Sequence, residues 1–221
     1  MDSKKEKVLK QVSLKVLLVA VLFLVSLFLF AFIAHEAVYE QEDVFDKKVH
    51  AFFMAHSTPA FIQSMRDFTF LGSSSFLLPA YIVLVSFFLI KKRVRYAIDI
   101  SIVAVSSFLL MQGLKQVFHR KRPDLPIIKG IATYSFPSGH SLSSFIFCSV
   151  LAYLIWNGEL RTVWKLVLTV LLLLLAVTIG ISRIVLNVHY ATDVIAGFCL
   201  GIMWVILSFW VIRKINSKRI V

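Results

Sequence analysis

The sequence predicts an all-α polytopic membrane protein, with six transmembrane helices, a helical-bundle core and an interfacial amphipathic helix between the first and second spans. Hydrophobic residues make up 59% of the 221 positions, whereas soluble domains contain roughly 45–50%. The mean hydropathy is +0.84. The apolar residues also gather in six runs, and a membrane span needs about 20 predominantly apolar residues. A bilayer is therefore the solvent that this composition fits.

The whole chain, 1–221, is predicted to form a single membrane domain. The first apolar run is longer than the apolar region of a signal peptide, which is about 7–15 residues, so we expect a retained helix. The fourth and fifth runs are short for spans, so we expect these two helices to extend into the flanking residues. The six predicted spans are 12–34, 74–90, 96–114, 141–156, 165–181 and 194–212.

Residues 35–73 are too polar to span a membrane. They begin with the acidic stretch HEAVYEQEDVFDKK and continue with aromatic clusters that alternate with polar residues. This pattern is typical of an amphipathic helix that lies in the membrane interface. A plain surface loop is the alternative.

The distribution of positive charge predicts the orientation. The two termini and the second-to-third and fourth-to-fifth connections hold 15 of the 24 Lys and Arg residues. Positive residues are concentrated in cytoplasmic segments, so both termini are predicted to be cytoplasmic in a multi-pass protein of the cell (inner) membrane. Residues 115–140 and 182–193 then lie on the extracytoplasmic face. The net charge of +12 does not suggest nucleic acid as a partner, because the spans divide the basic residues.

The stretch KQVFHRKRP concentrates positive charge on the predicted outer side. Lys115 and Arg122 are seven residues apart, which on a helix would place them on one face, and Pro123 disfavours helix at Arg122. Two such cations suit a phosphate, because Arg offers a planar fork and Lys a point charge. A lipid-headgroup anchor is the alternative.

The stretch SFPSGHS precedes the fourth predicted span. Ser138 is expected to cap the helix, and Gly139 permits unusual backbone angles. A helix N-terminus with free N–H groups binds anions, and His140 would lie beside that anion. An ordinary capped helix start is the alternative.

The stretch SRIVLNVHYATD joins the fifth and sixth predicted spans. Arg183 ends the fifth span, and His189 and Asp193 are spaced i and i+4, so on a helix they would face each other. A carboxylate that accepts one imidazole N–H raises the basicity of the other nitrogen, as a nucleophilic histidine requires. A structural His–Asp pair is the alternative.

In combination the three motifs are specific. The pattern K-x6-R-P, then P-S-G-H, then S-R-x5-H-x3-D resembles the type 2 phosphatidic acid phosphatase (lipid phosphate phosphatase) superfamily, in its bacterial membrane branch. The resemblance implies an all-α core, His189 as a nucleophile that becomes a phosphohistidine, Asp193 as its orienting carboxylate and His140 as the general acid and base. It also implies a set of groups that hold the phosphoryl oxygens: Lys115, Arg122, Ser138, Gly139 and Arg183.

The function expected from this resemblance is a metal-independent lipid phosphatase that acts at the outer leaflet and needs no cofactor. The candidate substrates are undecaprenyl diphosphate, phosphatidylglycerol phosphate, phosphatidic acid and lipid A 1-phosphate. Arg120, Lys121 and Lys129 are candidate contacts to a second phosphate or an acidic headgroup, with nonspecific lipid contact as the alternative. A lipid phosphotransferase would use the same histidine, and a non-catalytic lipid-binding or scramblase-like protein is the alternative from another class. The sequence does not indicate an oligomeric state.

Overall fold

Regular structure in this chain is helical. The computed structural model describes residues 2–41, 43–128, 130 and 133–217, and within those ranges no strand occurs. A π-helical turn, His35–Tyr39, follows the first helix. The α-helices are α1 (Asp2–Ala34), α2 (Val44–His56), α3 (Pro59–Leu71), α4 (Ser74–Ile90), α5 (Val94–Phe118), α6 (Gly139–Trp156), α7 (Thr162–Val185) and α8 (Ala191–Ser217). The predicted all-α fold class is confirmed.

Five helical segments in the described part of the chain are long and apolar enough to cross a membrane, and a sixth span is obtained if α3 and α4 count as one bent element. The axes of α3 and α4 differ by 42°. The predicted second span therefore coincides with α4. On that count, however, the membrane-crossing segment also includes α3, which precedes α4 and is joined to it at the bend. The two short runs extend as expected, because α6 begins at Gly139 and α7 ends at Val185, both of which are motif residues.

Residues 35–73 differ from the single amphipathic helix that the sequence predicts. Two helices of 13 residues each, α2 and α3, occupy this segment. The break falls before Pro59, which stands at the first turn of α3, where a missing N–H costs nothing. The Thr58 hydroxyl caps α3 by accepting from the Phe61 amide at 3.2 Å. Met65 and Thr69 are the buried residues of α3, which packs against α7.

The centre of the bundle is α6, which packs against α4, α5, α7 and α8. Leu142 and Ile146 of α6 are fully buried in the main apolar cluster. Two small residues allow α8 to approach α6 closely. A Cβ atom on Gly197 would lie 2.8 Å from the Ser138 carbonyl oxygen, and one on Gly201 would lie 2.8 Å from the Phe145 ring. The GxxxG pair thus serves packing within the bundle, and it brings the N-terminal ends of α6 and α8 side by side.

Candidate active site

The three sequence motifs converge at one end of the bundle. The end of α5 and the loop after it bring Lys115 and Arg122, and the end of α7 brings Arg183. The first turn of α6 carries His140. The start of α8 carries Asp193, with His189 just before it. Lys115, Arg183, His189 and Asp193 are all buried.

His189 and Asp193 meet, but not along one helix as the spacing predicts. His189 precedes α8, which begins at Ala191. Asp193 reaches back from the first turn, and its Oδ2 atom accepts from the Tyr190 amide at 2.9 Å, as the acidic residue of a capping box does. The same oxygen lies 3.3 Å from His189 Nδ1. The His189–Asp193 contact therefore arises from the conformation of the chain at the start of α8, and not from the i, i+4 repeat of a helix.

The neighbours of His189 assign its tautomer. Arg122 Nη1 lies 3.0 Å from His189 Nε2, and because a guanidinium can only donate, Nε2 accepts. The proton is then on Nδ1, which donates to Asp193. Burial lowers the pKa of His189 to about 3, although the hydrogen bond to Asp193 opposes this shift, and Arg122 and Arg183 lower it further. At neutral pH the imidazole is uncharged, with its lone pair on Nε2.

Lys115 and Arg122 do not share a helix face, contrary to the prediction from their spacing. The helix α5 ends at Phe118, and His119 takes a left-handed conformation with φ of 50°. Arg122 therefore lies in the following loop, where it donates to the Thr133 carbonyl at 2.7 Å and to the Val188 carbonyl at 2.5 Å.

Lys115 still belongs to the same cluster of charges. It occupies the last turn of α5, is buried and donates to the Tyr134 carbonyl. Its charge interacts with those of Arg122, Arg183 and Asp193. Lys115, Arg122 and Arg183 thus form one cluster of cations, and the charges of Arg122 and Arg183 also act on the His189 imidazole.

The start of α6 is built as the sequence predicts. Ser138 is the N-cap, and its Oγ atom accepts from the Ser141 hydroxyl at 2.9 Å and from the Ser141 amide at 3.4 Å. Its own amide donates to the Asp193 carbonyl at 3.0 Å, which joins the starts of α6 and α8. At Gly139 a Cβ atom would lie 2.5 Å from Met111 Sδ, so the Met111 side chain of α5 occupies the space that a larger residue at this position would need. His140 is half-buried, and its charged form would meet those of Arg183, Arg122 and Lys115.

Arg183 carries a donor that lacks a partner. Its Nη1 atom donates to Thr69 Oγ1 at 2.6 Å, whereas its buried Nε atom has no hydrogen-bond partner among the described residues. An unpaired buried donor costs about 1–3 kcal/mol, and more when it is charged. A phosphate oxygen would remove that cost.

Arg120 is placed differently from the predicted headgroup contact. Its side chain is only 9% exposed and forms ion pairs with two carboxylates: Nη1 lies 2.7 Å from Asp193 Oδ1, and Nη2 lies 2.9 Å from Asp46 Oδ2. Although burial opposes the charged form, these two carboxylates raise the pKa of Arg120. A guanidinium that is committed to two carboxylates is not available to a headgroup. Lys121 is exposed, and Lys129 lies outside the described residues.

Three residues of this site are not predicted by any pattern in the sequence. Asp46 was one acidic residue among several in residues 35–73, and Thr69 had no pattern to distinguish it. Ser135 stands at the first position of SFPSGHS and received no role, yet its hydroxyl donates to Asp193 Oδ2. Its position inside a recognised motif was the one available signal.

A sequence model of the PAP2 superfamily matches residues 96–217, which is more than half of the chain and includes every motif residue. The chain belongs to the PAP2 superfamily. In this PAP2 protein the matched region begins in α5, so Asp46 and Thr69 come from outside it.

Relatives of this PAP2 protein include proteins that are named as lipid phosphatases. The chain is 31% identical over 196 residues to phosphatidylglycerophosphatase B of Bacillus subtilis (strain 168), over 88% of this chain and 95% of that protein. A stretch of 106 residues is 38% identical to the lipid A 1-phosphatase of Porphyromonas gingivalis, over 46% of this chain and 21% of that protein. The crystal structure of a transmembrane PAP2-type phosphatidylglycerolphosphate phosphatase from Bacillus subtilis superposes with a TM-score of 0.74 at 30% identity, over 90% of this chain and 96% of that one.

Proposed function

We propose that the chain is a single-domain lipid phosphatase that transfers a phosphoryl group from a lipid headgroup to His189 and then to water, without a metal. One observation carries this proposal: His189 Nε2, the unprotonated nitrogen, lies in a cluster with Arg122, Arg183, Lys115 and His140. Three cations would neutralise the transferred group, which is the main demand of phosphoryl transfer.

In the proposed reaction each group has one task. Arg183 Nε, Arg122 and Lys115 bind the non-bridging oxygens, together with the Ser138 hydroxyl and the Gly139 amide at the start of α6. Arg122 Nη1 donates to the lone pair of His189 Nε2, and this hydrogen bond blocks the nucleophile. Before attack, Arg122 must therefore release Nε2 and donate to a phosphate oxygen instead.

Two displacements then complete the turnover. In the first, the negative charge of the bound phosphate stabilises the protonated form of His140, a bond forms between Nε2 and phosphorus, the P–O bond to the leaving group breaks, and His140 gives its proton to the leaving oxygen. In the second, His140 takes a proton from water, the water oxygen bonds to phosphorus, and the P–N bond breaks. His140 therefore returns to its starting state.

The substrate that we propose is phosphatidylglycerol phosphate. The relative that is matched over nearly its whole length is named for that activity, whereas the match to the lipid A 1-phosphatase covers 21% of that protein. The distribution of Lys and Arg supports cytoplasmic termini and a site on the extracytoplasmic face. Phosphatidic acid, lipid A 1-phosphate and undecaprenyl diphosphate are the competitors in the assay.

The test is release of inorganic phosphate from these four lipids by the purified protein in detergent, with and without EDTA. We expect the highest kcat/KM with phosphatidylglycerol phosphate and no effect of EDTA. Loss of activity in EDTA would contradict the metal-independent reaction. Phosphate that appears on a second lipid would establish a phosphotransferase, and binding without turnover on all four lipids would establish a non-catalytic lipid-binding protein.

A change at Thr69 tests how Arg183 is held. Thr69→Val keeps the side-chain volume but removes the acceptor of the 2.6 Å bond. Because a hydrogen bond to a charged group contributes about 1.5–3 kcal/mol, we expect kcat/KM to fall about 10- to 100-fold and the inhibition constant of inorganic phosphate to rise. Thr178→Val is the matched control, since the Thr178 hydroxyl bonds to its own helix at Leu174. Equal kcat/KM values for the two variants would show that Thr69 does not position Arg183 for the reaction.

A further inference from the structure

The Arg120 side chain connects the candidate active site to α2. Besides its two carboxylate contacts, its Nη1 atom donates to Thr192 Oγ1 at 2.8 Å, and its guanidinium carbon lies 4.1 Å from the centre of the Tyr190 ring. Asp46, the α2 partner, is itself only 3% exposed. A buried ion pair of this kind is costly to assemble and very sensitive to loss of one partner, so its retention beside a nucleophile calls for a reason.

Asp46 binds the same helix start that carries Asp193. Its Oδ1 atom accepts from the Thr192 amide at 2.8 Å, and its Oδ2 atom accepts from the Thr192 hydroxyl at 2.6 Å. Asp46 therefore holds Arg120 from one side and the first turn of α8 from the other. Thr192 directly precedes Asp193, so α2 fixes both the cation and the backbone next to the catalytic carboxylate.

The contacts of Asp193 divide between its two oxygens. Oδ1 accepts from Arg120, whereas Oδ2 accepts from the Tyr190 amide, Ser135 and His189. The last torsion of an Asp side chain is broad when nothing holds it. Fixing Oδ1 by Arg120 prevents that rotation and keeps Oδ2 in line with His189 Nδ1.

We propose that Asp46 and Arg120 are positioning residues for the His189–Asp193 pair, so that α2, which lies outside the region matched to the family, completes the active site. The inference rests on the proposed phosphatase function. Arg120 acts through Asp193, and Asp46 acts through Arg120 and Thr192. Neither side chain is required to touch the phosphate.

The experiment separates positioning from simple stabilisation with four variants: Arg120→Gln, Asp46→Asn, the double variant that combines them, and Arg120→Lys. Melting temperature, kcat and KM are measured on the full chain with phosphatidylglycerol phosphate as substrate. Asp43→Asn is the matched control, because Asp43 forms an exposed ion pair with Lys47 at the start of the same helix.

For Arg120→Gln and Asp46→Asn we expect kcat to fall about 10- to 100-fold with KM unchanged, which is the range seen when the outer partner of a metal-binding histidine is removed. Arg120→Gln should also lower the melting temperature, because it leaves Asp46 buried without its cation. Arg120→Lys should recover part of kcat, and Asp43→Asn should match the wild type.

The double variant is decisive. Removing both charges should restore part of the melting temperature, yet kcat should stay as low as in Arg120→Gln, because Asp193 Oδ1 still lacks its cation. If kcat recovers together with the melting temperature, the pair is merely structural and the inference is overturned. The same follows if Asp46→Asn, which keeps an acceptor for Thr192, has wild-type kcat. Failure of the wild-type chain to release phosphate from any lipid would instead overturn the proposed function.

Discussion

Replacing His189 with alanine is expected to reduce phosphate release by about 10⁴-fold or more, to the limit of detection. The remaining groups cannot replace a nucleophile with which they act as a unit. Removing one member of such a unit therefore lowers the rate almost as much as removing all of them. Binding should survive, because Arg122, Arg183 and Lys115 are unchanged. The measurement is phosphate release from phosphatidylglycerol phosphate by the variant and the wild type. The inhibition constant of inorganic phosphate for the wild type is the reference value for binding.

The control for His189→Ala is His56→Ala. His56 is exposed at the end of α2 and bonds to the Phe52 carbonyl of its own helix at 2.7 Å, so its loss should leave turnover unchanged. The fold around position 189 should persist, because Asp193 keeps its contacts with Arg120, Ser135 and the Tyr190 amide. Normal turnover in His189→Ala would exclude the phosphohistidine route.

Replacing His140 with alanine is expected to lower steady-state kcat by about 10³-fold and to separate the two displacements. General acid–base catalysis contributes about 10²–10⁴-fold, and His140 is proposed to act in both steps. A substrate with an acidic leaving group, p-nitrophenyl phosphate, does not need protonation in the first step. The variant should therefore release one equivalent of nitrophenolate per protein in a burst and then turn over slowly.

The two histidine variants control each other in this burst experiment. The His189→Ala variant should show no burst, because it cannot form the intermediate. Acid quenching of His140→Ala after the burst should yield protein that carries acid-labile phosphate. A steady-state rate equal to that of the wild type would take His140 out of the mechanism. Slow turnover without a burst would mean that the first displacement is slowed even with an acidic leaving group, which would contradict the proposed acid–base role.

The sequence predicted the helices and the members of the motifs better than it predicted how they meet. Hydropathy identifies the spans because a segment in lipid must be helical and mostly apolar. The spacing of Lys115 and Arg122 suggested a shared helix face, but His119 ends the helix in a left-handed turn. The spacing of His189 and Asp193 suggested a helical pair, but the contact arises from a cap at the start of α8. In both cases backbone conformation at a helix end decided the geometry, and periodicity carries no information about that.

The contacts from residues 35–73 could not be predicted at all. Asp46 meets Arg120 across 74 positions of sequence, and Thr69 meets Arg183 across 114. Pairing between distant side chains depends on how α2 and α3 pack against α7 and α8, which no local pattern specifies. For this reason the sequence predicts a headgroup contact for Arg120, whereas in the fold two carboxylates bind it.

Asp193 Oδ2 accepts hydrogen bonds from both the Tyr190 amide, at the start of α8, and His189 Nδ1. In the proposed intermediate the phosphoryl group occupies Nε2 and leaves the imidazole protonated on Nδ1, with a positive charge, so the hydrogen bond to Oδ2 becomes charge-assisted and stronger. The amide of Tyr190 competes for that oxygen. In the proposed cycle the chemical state of the histidine would therefore affect the backbone at the start of α8, and hydrogen exchange at the Tyr190 amide would report on it.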